Sequence, residues 1–161
     1  MTGKYIGAGD KAGLRATVKW TFIWSMGIAT AFVFIYMVGG RWMLSLMTSD
    51  RAVLDVADGF LPWLLLMPLV GCPAFTWDGI YIGATASREM RNSTLWAVVA
   101  FFAVYYSGIF IQSHYPLSDS SPLRVAGLSS EMLSMHILMT AYFAHLLART
   151  LYLTLRCRRI L

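Results

Sequence analysis

Charged side chains are scarce in this sequence, at 13% of its 161 residues, whereas 58% are hydrophobic. Soluble domains contain about 25% charged residues. A soluble core of this size does not need so many apolar residues, but lipid accepts apolar surface that water would reject. The scarcity of charge therefore excludes an ordinary soluble domain and indicates an integral membrane protein.

Cysteine is nearly absent as well, with Cys72 and Cys157 far apart in the chain. Two such cysteines give neither a disulfide framework nor the spacing of a metal site. The sequence also lacks paired carboxylates, a nucleophile triad and a cluster of metal ligands. We therefore expect no enzyme, no catalytic residue, no metal and no organic cofactor.

Four apolar stretches approach or exceed the roughly 20 residues that a spanning helix needs. They are residues 20–40, 59–85, 95–112 and 132–155. The remaining segments are an N-terminal segment 1–19, loops 41–58, 86–94 and 113–131, and a tail 156–161. The sequence thus predicts an all-α membrane protein with four transmembrane helices.

The basic residues predict the orientation of these helices. Ten of the thirteen lie on the side of both termini and of loop 86–94: Lys4, Lys11, Arg15, Lys19, Arg88, Arg91, Arg149, Arg156, Arg158 and Arg159. Arg41, Arg51 and Arg124 lie on the other side. By the positive-inside rule, both termini are cytoplasmic and loops 41–58 and 113–131 are external. The net charge of +5 comes from basic residues that flank the apolar stretches, where they can contact anionic lipid headgroups. Nucleic acid is therefore not an expected partner.

The second stretch combines prolines with an acid. Pro62, Pro68 and Pro73 are expected to kink or break its helix, because proline lacks the N–H that a helix interior needs. Asp78 follows them. An intramembrane carboxylate costs roughly 2.5–3.5 kcal/mol on insertion scales and usually faces a cavity or a partner. Together these features favour a transport site over a plain anchor, although a structural, hydrogen-bonded acid is the alternative.

Oxygen-bearing side chains follow one face of the same predicted helix. Asp78, Tyr81 and Thr85 are spaced at i, i+3 and i+7. Their carboxylate, phenol and hydroxyl suit a proton or a hard monovalent cation. They are the candidate cation-binding or coupling residues, and an ordinary buried tyrosine is the alternative for Tyr81.

Small and polar residues mark two further faces. Gly79 and Gly83 are four residues apart and predict close approach of a neighbouring helix. On the fourth stretch, Tyr142, His145, Arg149 and Tyr152 form a polar face. We expect this face to lie against a neighbour or the inner headgroups.

The motif from Asp78 to Thr85, DGIYIGAT, followed by ASREMRN to Asn92, resembles a motif of multidrug and toxic-compound extrusion (MATE) transporters. The similarity is to the branch typified by DNA-damage-inducible protein F. Residues 6–10, IGAGD, are similar to the end of the family's eighth helix, and residues 148–156 to the end of its twelfth.

The resemblance implies helices nine to twelve of a fold with two six-helix lobes and a central cavity. Such proteins export organic, often cationic, compounds in exchange for H+ or Na+. Asp78 would correspond to a tenth-helix acid that helps form a cation site in the sodium-coupled branch. The first-helix acid usually linked to proton coupling lies outside this chain.

The expected protein is therefore a C-terminal fragment of a transporter in the inner (plasma) membrane. Its partners would be the lipid bilayer, organic substrates, and either the N-terminal part of the transporter or further copies of itself. The alternative is a small four-helix membrane protein that acts as a structural or oligomeric exporter subunit.

Overall fold

The computed structural model of the protein describes residues 2–114 and 130–157, which contain helices and no strand. The helices are α1 (Thr2–Gly7), α2 (Lys11–Met47), α3 (Arg51–Asp58), α4 (Leu61–Gly83), α5 (Ser87–His114) and α6 (Ser130–Arg156). The predicted all-α membrane class is confirmed. Most of the predicted external loop 113–131 and of the tail 156–161 lies outside the described residues.

Helix α2 begins after a tight turn and extends beyond any bilayer core. Gly9 has a φ of +68° in that turn, and the Asp10 carboxylate accepts a 2.9 Å hydrogen bond from the backbone N–H of Gly13, which caps the helix. At 1.5 Å per residue, its 37 residues span about 55 Å, against a core of about 30 Å. Its N-terminal turns carry Lys11, Arg15 and Lys19 and can protrude from the membrane.

By length and composition, α2, α4 and α5 are able to cross a membrane. Among the described helices, α6 has 27 residues and is long enough to cross, but its composition is not apolar enough for this group. Its polar and charged positions, such as Arg149, dilute its apolar surface. The fourth span therefore remains a prediction.

Helix α4 is continuous through both of its internal prolines, so neither Pro68 nor Pro73 breaks it, and the kink expected there stays a prediction. Pro62 lies in the first turn, where a backbone N–H has no intrahelical partner to lose. The prediction that Pro62 kinks the helix was therefore wrong: this residue helps to begin α4.

Contacts along α4 and α6 show that these two helices run in the same direction. The indole N–H of Trp63 donates to His136 Nδ1 at 2.9 Å, and further along both helices the Tyr81 hydroxyl donates to the carbonyl of Leu153 at 2.7 Å. Residues 63 to 81 thus follow residues 136 to 153 in parallel.

Helices α2 and α5 run the opposite way. Gly40, late in α2, lies against Leu61 at the start of α4, and Phe22, early in α2, contacts Trp77 with ring centroids 5.0 Å apart. On α5, the early residue Glu89 contacts Tyr152 and the late residue Gly108 lies against Ile137, so α5 is antiparallel to α6. Helix α1, the turn between α4 and α5, and the end of α6 therefore lie at one end of the bundle. This matches the grouping that the basic residues predict, although which side of the membrane it faces remains a prediction.

The core is concentrated at this same end. Val18, Trp77, Ile80, Tyr81 and Leu153 form its buried cluster. Large apolar side chains are open to the surroundings at both ends, with 63% of Ile82 and 89% of Val38 exposed. Such a surface requires lipid or further protein to cover it.

Candidate functional site

Asp78 lies on α4 opposite Arg149 on α6. The Arg149 Nε donates to Asp78 Oδ1 at 3.0 Å, and the two side chains are 15% and 20% exposed for Asp78 and Arg149, respectively. The predicted partner for the intramembrane acid is therefore present. It belongs to the polar face predicted for the fourth stretch, which lies against a neighbouring helix.

The depth of this pair follows from its place on α4. Asp78 is five residues before the last helical residue, Gly83, or about 7.5 Å along the helix axis. The carboxylate is thus nearer the core-bearing end of the bundle than the middle of the helix. A long arginine side chain at this depth can extend its charged head toward the headgroups.

Tyr81 is one turn further along α4 and is fully buried, with 0% exposure. Its hydroxyl donates to the carbonyl of Leu153, one of the last four carbonyls of α6. These carbonyls lack intrahelical N–H partners, so the tyrosine satisfies a helix end. This bond gives Tyr81 a helix-anchoring role, and it leaves the lone pairs of the phenol oxygen unused.

Thr85 does not continue the face of Asp78 and Tyr81. Helix α4 ends at Gly83, and Thr85 follows with a φ of +55° in the left-handed region. Its hydroxyl donates to the carbonyl of Ala84 at 2.7 Å. The predicted row of three oxygens was wrong at this position, because a helix end lies between Tyr81 and Thr85.

A second polar group continues from α6 to α5. The Tyr152 hydroxyl donates to Glu89 Oε2 at 3.1 Å, and Arg156 Nε lies 3.8 Å from the same oxygen. The Arg156 guanidinium also lies 5.6 Å from the centre of the Tyr152 ring, within cation–π range. We call the set Asp78, Tyr81, Glu89, Arg149, Tyr152 and Arg156 the polar seam, since it joins α4 and α5 to α6.

The two glycines predicted to pack closely differ. A Cβ on Gly83 would lie 3.1 Å from Thr2 Cβ, and a Cβ on Gly3 would lie 2.7 Å from the Gly83 carbonyl oxygen. Gly83 therefore allows α1 to approach α4. A Cβ on Gly79 would meet nothing within 4 Å. Among the described residues, Gly83 thus has a close neighbour and Gly79 has none, and helix packing at Gly79 stays a prediction.

Of the three predicted oxygen groups, Thr85 leaves the shared face, Tyr81 donates to a helix end, and Asp78 already has a cationic partner. Cation binding by Asp78 and Tyr81 stays a prediction. No group of three His, Cys, Asp or Glu side chains in residues 2–114 and 130–157 is arranged to hold a metal ion. Asp78 can exchange a proton, or accept a small cation if Arg149 moves away. What the sequence reasoning missed was that pairing, which the presence of opposite charges at similar distances from one end of two helices could have suggested.

An apolar groove lies among α4, α5 and α6, toward the other end of the bundle. Its volume is about 520 Å³, within the range of small-molecule pockets. Trp63, Met67, Phe101, Leu138 and Tyr142 are among its lining residues. Its aromatic walls suit a flat, lipophilic compound.

Comparisons with known proteins identify the family. The MatE family model matches residues 1–109, which include the motif beginning at Asp78. The chain belongs to the MATE family. DNA damage-inducible protein F of Escherichia coli (strain K12) is 33% identical to the chain over 100 residues. These are 62% of the chain and only 22% of that relative.

No solved structure matches the chain. The MATE assignment therefore rests on sequence. Arg149, Tyr152 and Arg156 lie beyond the region that the family model matches, whereas Asp78, Tyr81 and Glu89 lie within it. The polar seam thus joins the matched part of this MATE protein to its last described helix.

Proposed function

We propose that the chain is part of a MATE-type efflux transporter in the inner (plasma) membrane, which exports organic compounds in exchange for H+ or Na+. It acts by transport and not as an enzyme. The observation that carries the proposal is the placement of Asp78 inside the MatE match, on an apolar helix. An acid in such a helix marks an ion pathway by default.

In this proposal Asp78 is the coupling carboxylate of the C-terminal lobe. Its interaction with Arg149 ties two helices together, so a change in its charge changes the free energy of their contact. A coupling residue needs such a link between ion binding and helix position. Tyr81 holds the same two helices together without exchanging an ion.

The transported compound would meet aromatic side chains of this chain. The groove lined by Trp63, Phe101 and Tyr142 is apolar and of drug size. Aromatic faces attract organic cations, by about 0.5–2 kcal/mol per contact. An organic, often cationic, substrate is consistent with both features.

The chain spans too little of its relative to be expected to form a two-lobed cavity alone. The test is therefore a chimera, in which this chain replaces the corresponding helices of a MATE exporter whose ethidium efflux is measurable. We expect ethidium efflux above the vector level, and loss of that efflux when Asp78→Asn is introduced. Leu66→Ala, an exposed change on the same helix, is the matched control and should keep efflux.

Two outcomes would contradict the proposal. One is a chimera that reaches the membrane in normal amount and exports no ethidium. The other is unchanged, ion-coupled export in the Asp78→Asn chimera. Ethidium efflux by the chain alone, with crosslinked oligomers in the membrane, would favour the alternative of a small oligomeric exporter.

A further inference from the structure

The Asp78 carboxylate has a protein cation where a coupling ion would bind. Arg149 Nε lies 3.0 Å from Asp78 Oδ1, and both side chains are largely buried. The charges that act on Asp78 come from Arg149 and His145, both on α6. In the described residues, α1, α2 and α5 contribute no charge of comparable influence on this carboxylate.

We propose that Arg149 is a tethered counter-cation that occupies Asp78 and is displaced when a proton or Na+ binds there, so that ion binding releases α6 from α4. This inference rests on the proposed function, which places the coupling ion at Asp78. Arg149 lies outside the family match, and its displacement would make ion binding loosen the contact between α4 and α6.

The physical reason is that one buried carboxylate does not neutralise two cations. A bound Na+ beside Arg149 would meet a like charge within a few ångströms, in surroundings that screen charge less than water. Protonation of Asp78 instead removes the negative charge and leaves Arg149 unpaired. Either event favours movement of the guanidinium toward water, since an uncompensated buried charge is strongly destabilising.

The movement of Arg149 acts on α6 through the end of that helix. Arg149 is seven residues before the last helical residue, Arg156, or about 10 Å along the axis. The contact between Tyr81 and Leu153 lies in the next turn. Loss of the ion pair therefore weakens the docking of the C-terminal turns of α6 against α4.

Cys157 is a natural reporter for this docking. It directly follows α6, is partly buried, and packs against the cluster of Val18, Trp77, Ile80, Tyr81 and Leu153. Cys72 lies on α4, so a Cys72→Ser background leaves Cys157 as the single thiol. Release of α6 should expose Cys157 to alkylation.

The experiment measures N-ethylmaleimide alkylation of Cys157 in the full chain, in membranes. Choline chloride is replaced by NaCl at fixed pH, and separately the pH is lowered without Na+. Each rate is divided by that of the unfolded protein in the same buffer, because maleimide reacts with the thiolate. We expect one or both ions to raise the normalised rate roughly tenfold, equivalent to about 1.4 kcal/mol of docking.

Arg149→Gln should alkylate quickly and no longer respond to either ion. Because that variant leaves an unpaired carboxylate and could misfold, Asp78→Asn/Arg149→Gln is the second variant. Its neutral amide pair should restore protection without an ion response. Leu151→Ala is the control, since this side chain on α6 is 61% exposed and the change leaves Asp78 and Arg149 paired.

The His145→Gln variant shows whether protonation of His145 causes the pH dependence of Cys157 alkylation. We expect this variant to keep that pH dependence. A wild-type rate that neither ion changes would overturn the proposal. So would an ion response that persists in the neutral double variant, or one that His145→Gln abolishes.

The assay requires no transport. An exporting chimera with an ion-insensitive Cys157 would refute the tethered cation alone, whereas an ion-sensitive Cys157 with no efflux would refute the transport proposal alone.

Discussion

The hydroxyl of Tyr81 donates a 2.7 Å hydrogen bond to the carbonyl of Leu153, joining the interior of one helix to the end of another. Neither partner is exposed, at 0% for both residues. Because Leu153 is among the carbonyls that a helix leaves unsatisfied at its end, this bond serves as a cap supplied from a neighbouring helix. The C-terminal end of α6 is therefore positioned by α4.

Removal of this hydroxyl should loosen the end of α6. We expect Tyr81→Phe to lower the free energy of unfolding by about 1–3 kcal/mol, since it leaves a buried carbonyl without its donor. Denaturant titration in detergent micelles measures this change. Tyr106→Phe, at a tyrosine that is 64% exposed, is the control and should change stability little. Equal effects of the two variants would contradict a capping role for Tyr81.

Helix α5 approaches α6 closely at Gly108, which has no side chain. A Cβ at this position would lie 2.5 Å from Ile137 Cγ2, which real structures do not tolerate. We expect Gly108→Ala to destabilise the protein by about 1–3 kcal/mol, the usual effect of overpacking. Gly79→Ala should be neutral or stabilising, because that site is open and alanine favours helix.

A rescue variant separates the clash from other effects of alanine. Ile137→Ala removes the branched atoms that the new Cβ would meet, so Gly108→Ala should destabilise less in that background. The measurement is a double-mutant cycle by denaturant titration. Strictly additive effects would show that the two residues do not clash.

Thr85 has a backbone conformation that favours glycine. Its φ of +55° is an outlier for a β-branched residue and costs of order 1–2 kcal/mol. We therefore expect Thr85→Gly to raise the thermal midpoint and Thr85→Ala to leave it lower than the glycine variant. A glycine variant less stable than wild type would show that the hydroxyl contributes more than the strain costs.

The orientation of the bundle is testable with single cysteines. In a Cys72→Ser/Cys157→Ser background, Ser49→Cys lies between α2 and α3, and Ser87→Cys lies at the start of α5. Both positions are exposed. A membrane-impermeant maleimide added to intact cells should label position 49 and spare position 87, by the positive-inside rule. The reverse labelling would place the termini outside.

The sequence predicted the class of the protein because apolar length and charge distribution are local properties. It placed Asp78 correctly in an apolar helix. It could not supply the partner, since Arg149 is 71 residues away and the pairing depends on α4 and α6 running in parallel. The polar face of the fourth stretch was visible, but the helix that it contacts was not.

The errors in the sequence interpretation lie at helix ends. Thr85 was assigned to the face of Asp78, but α4 ends at Gly83. A glycine near a predicted helix end is a stop signal, and greater weight on Gly83 would have excluded Thr85. Pro62 was assigned to the kink because the predicted stretch began at residue 59, whereas α4 begins at Leu61 and Pro62 lies in its first turn.

The ion pair between Asp78 and Arg149 is the central claim, and a double-mutant cycle tests it most directly. The cycle compares wild type, Asp78→Asn, Arg149→Gln and the double variant by denaturant titration in micelles. We expect each single variant to be less stable, and the double variant to recover at least 1 kcal/mol of the summed loss, because neither charge is then left unpaired. Additive losses, with no recovery in the double variant, would contradict the pairing.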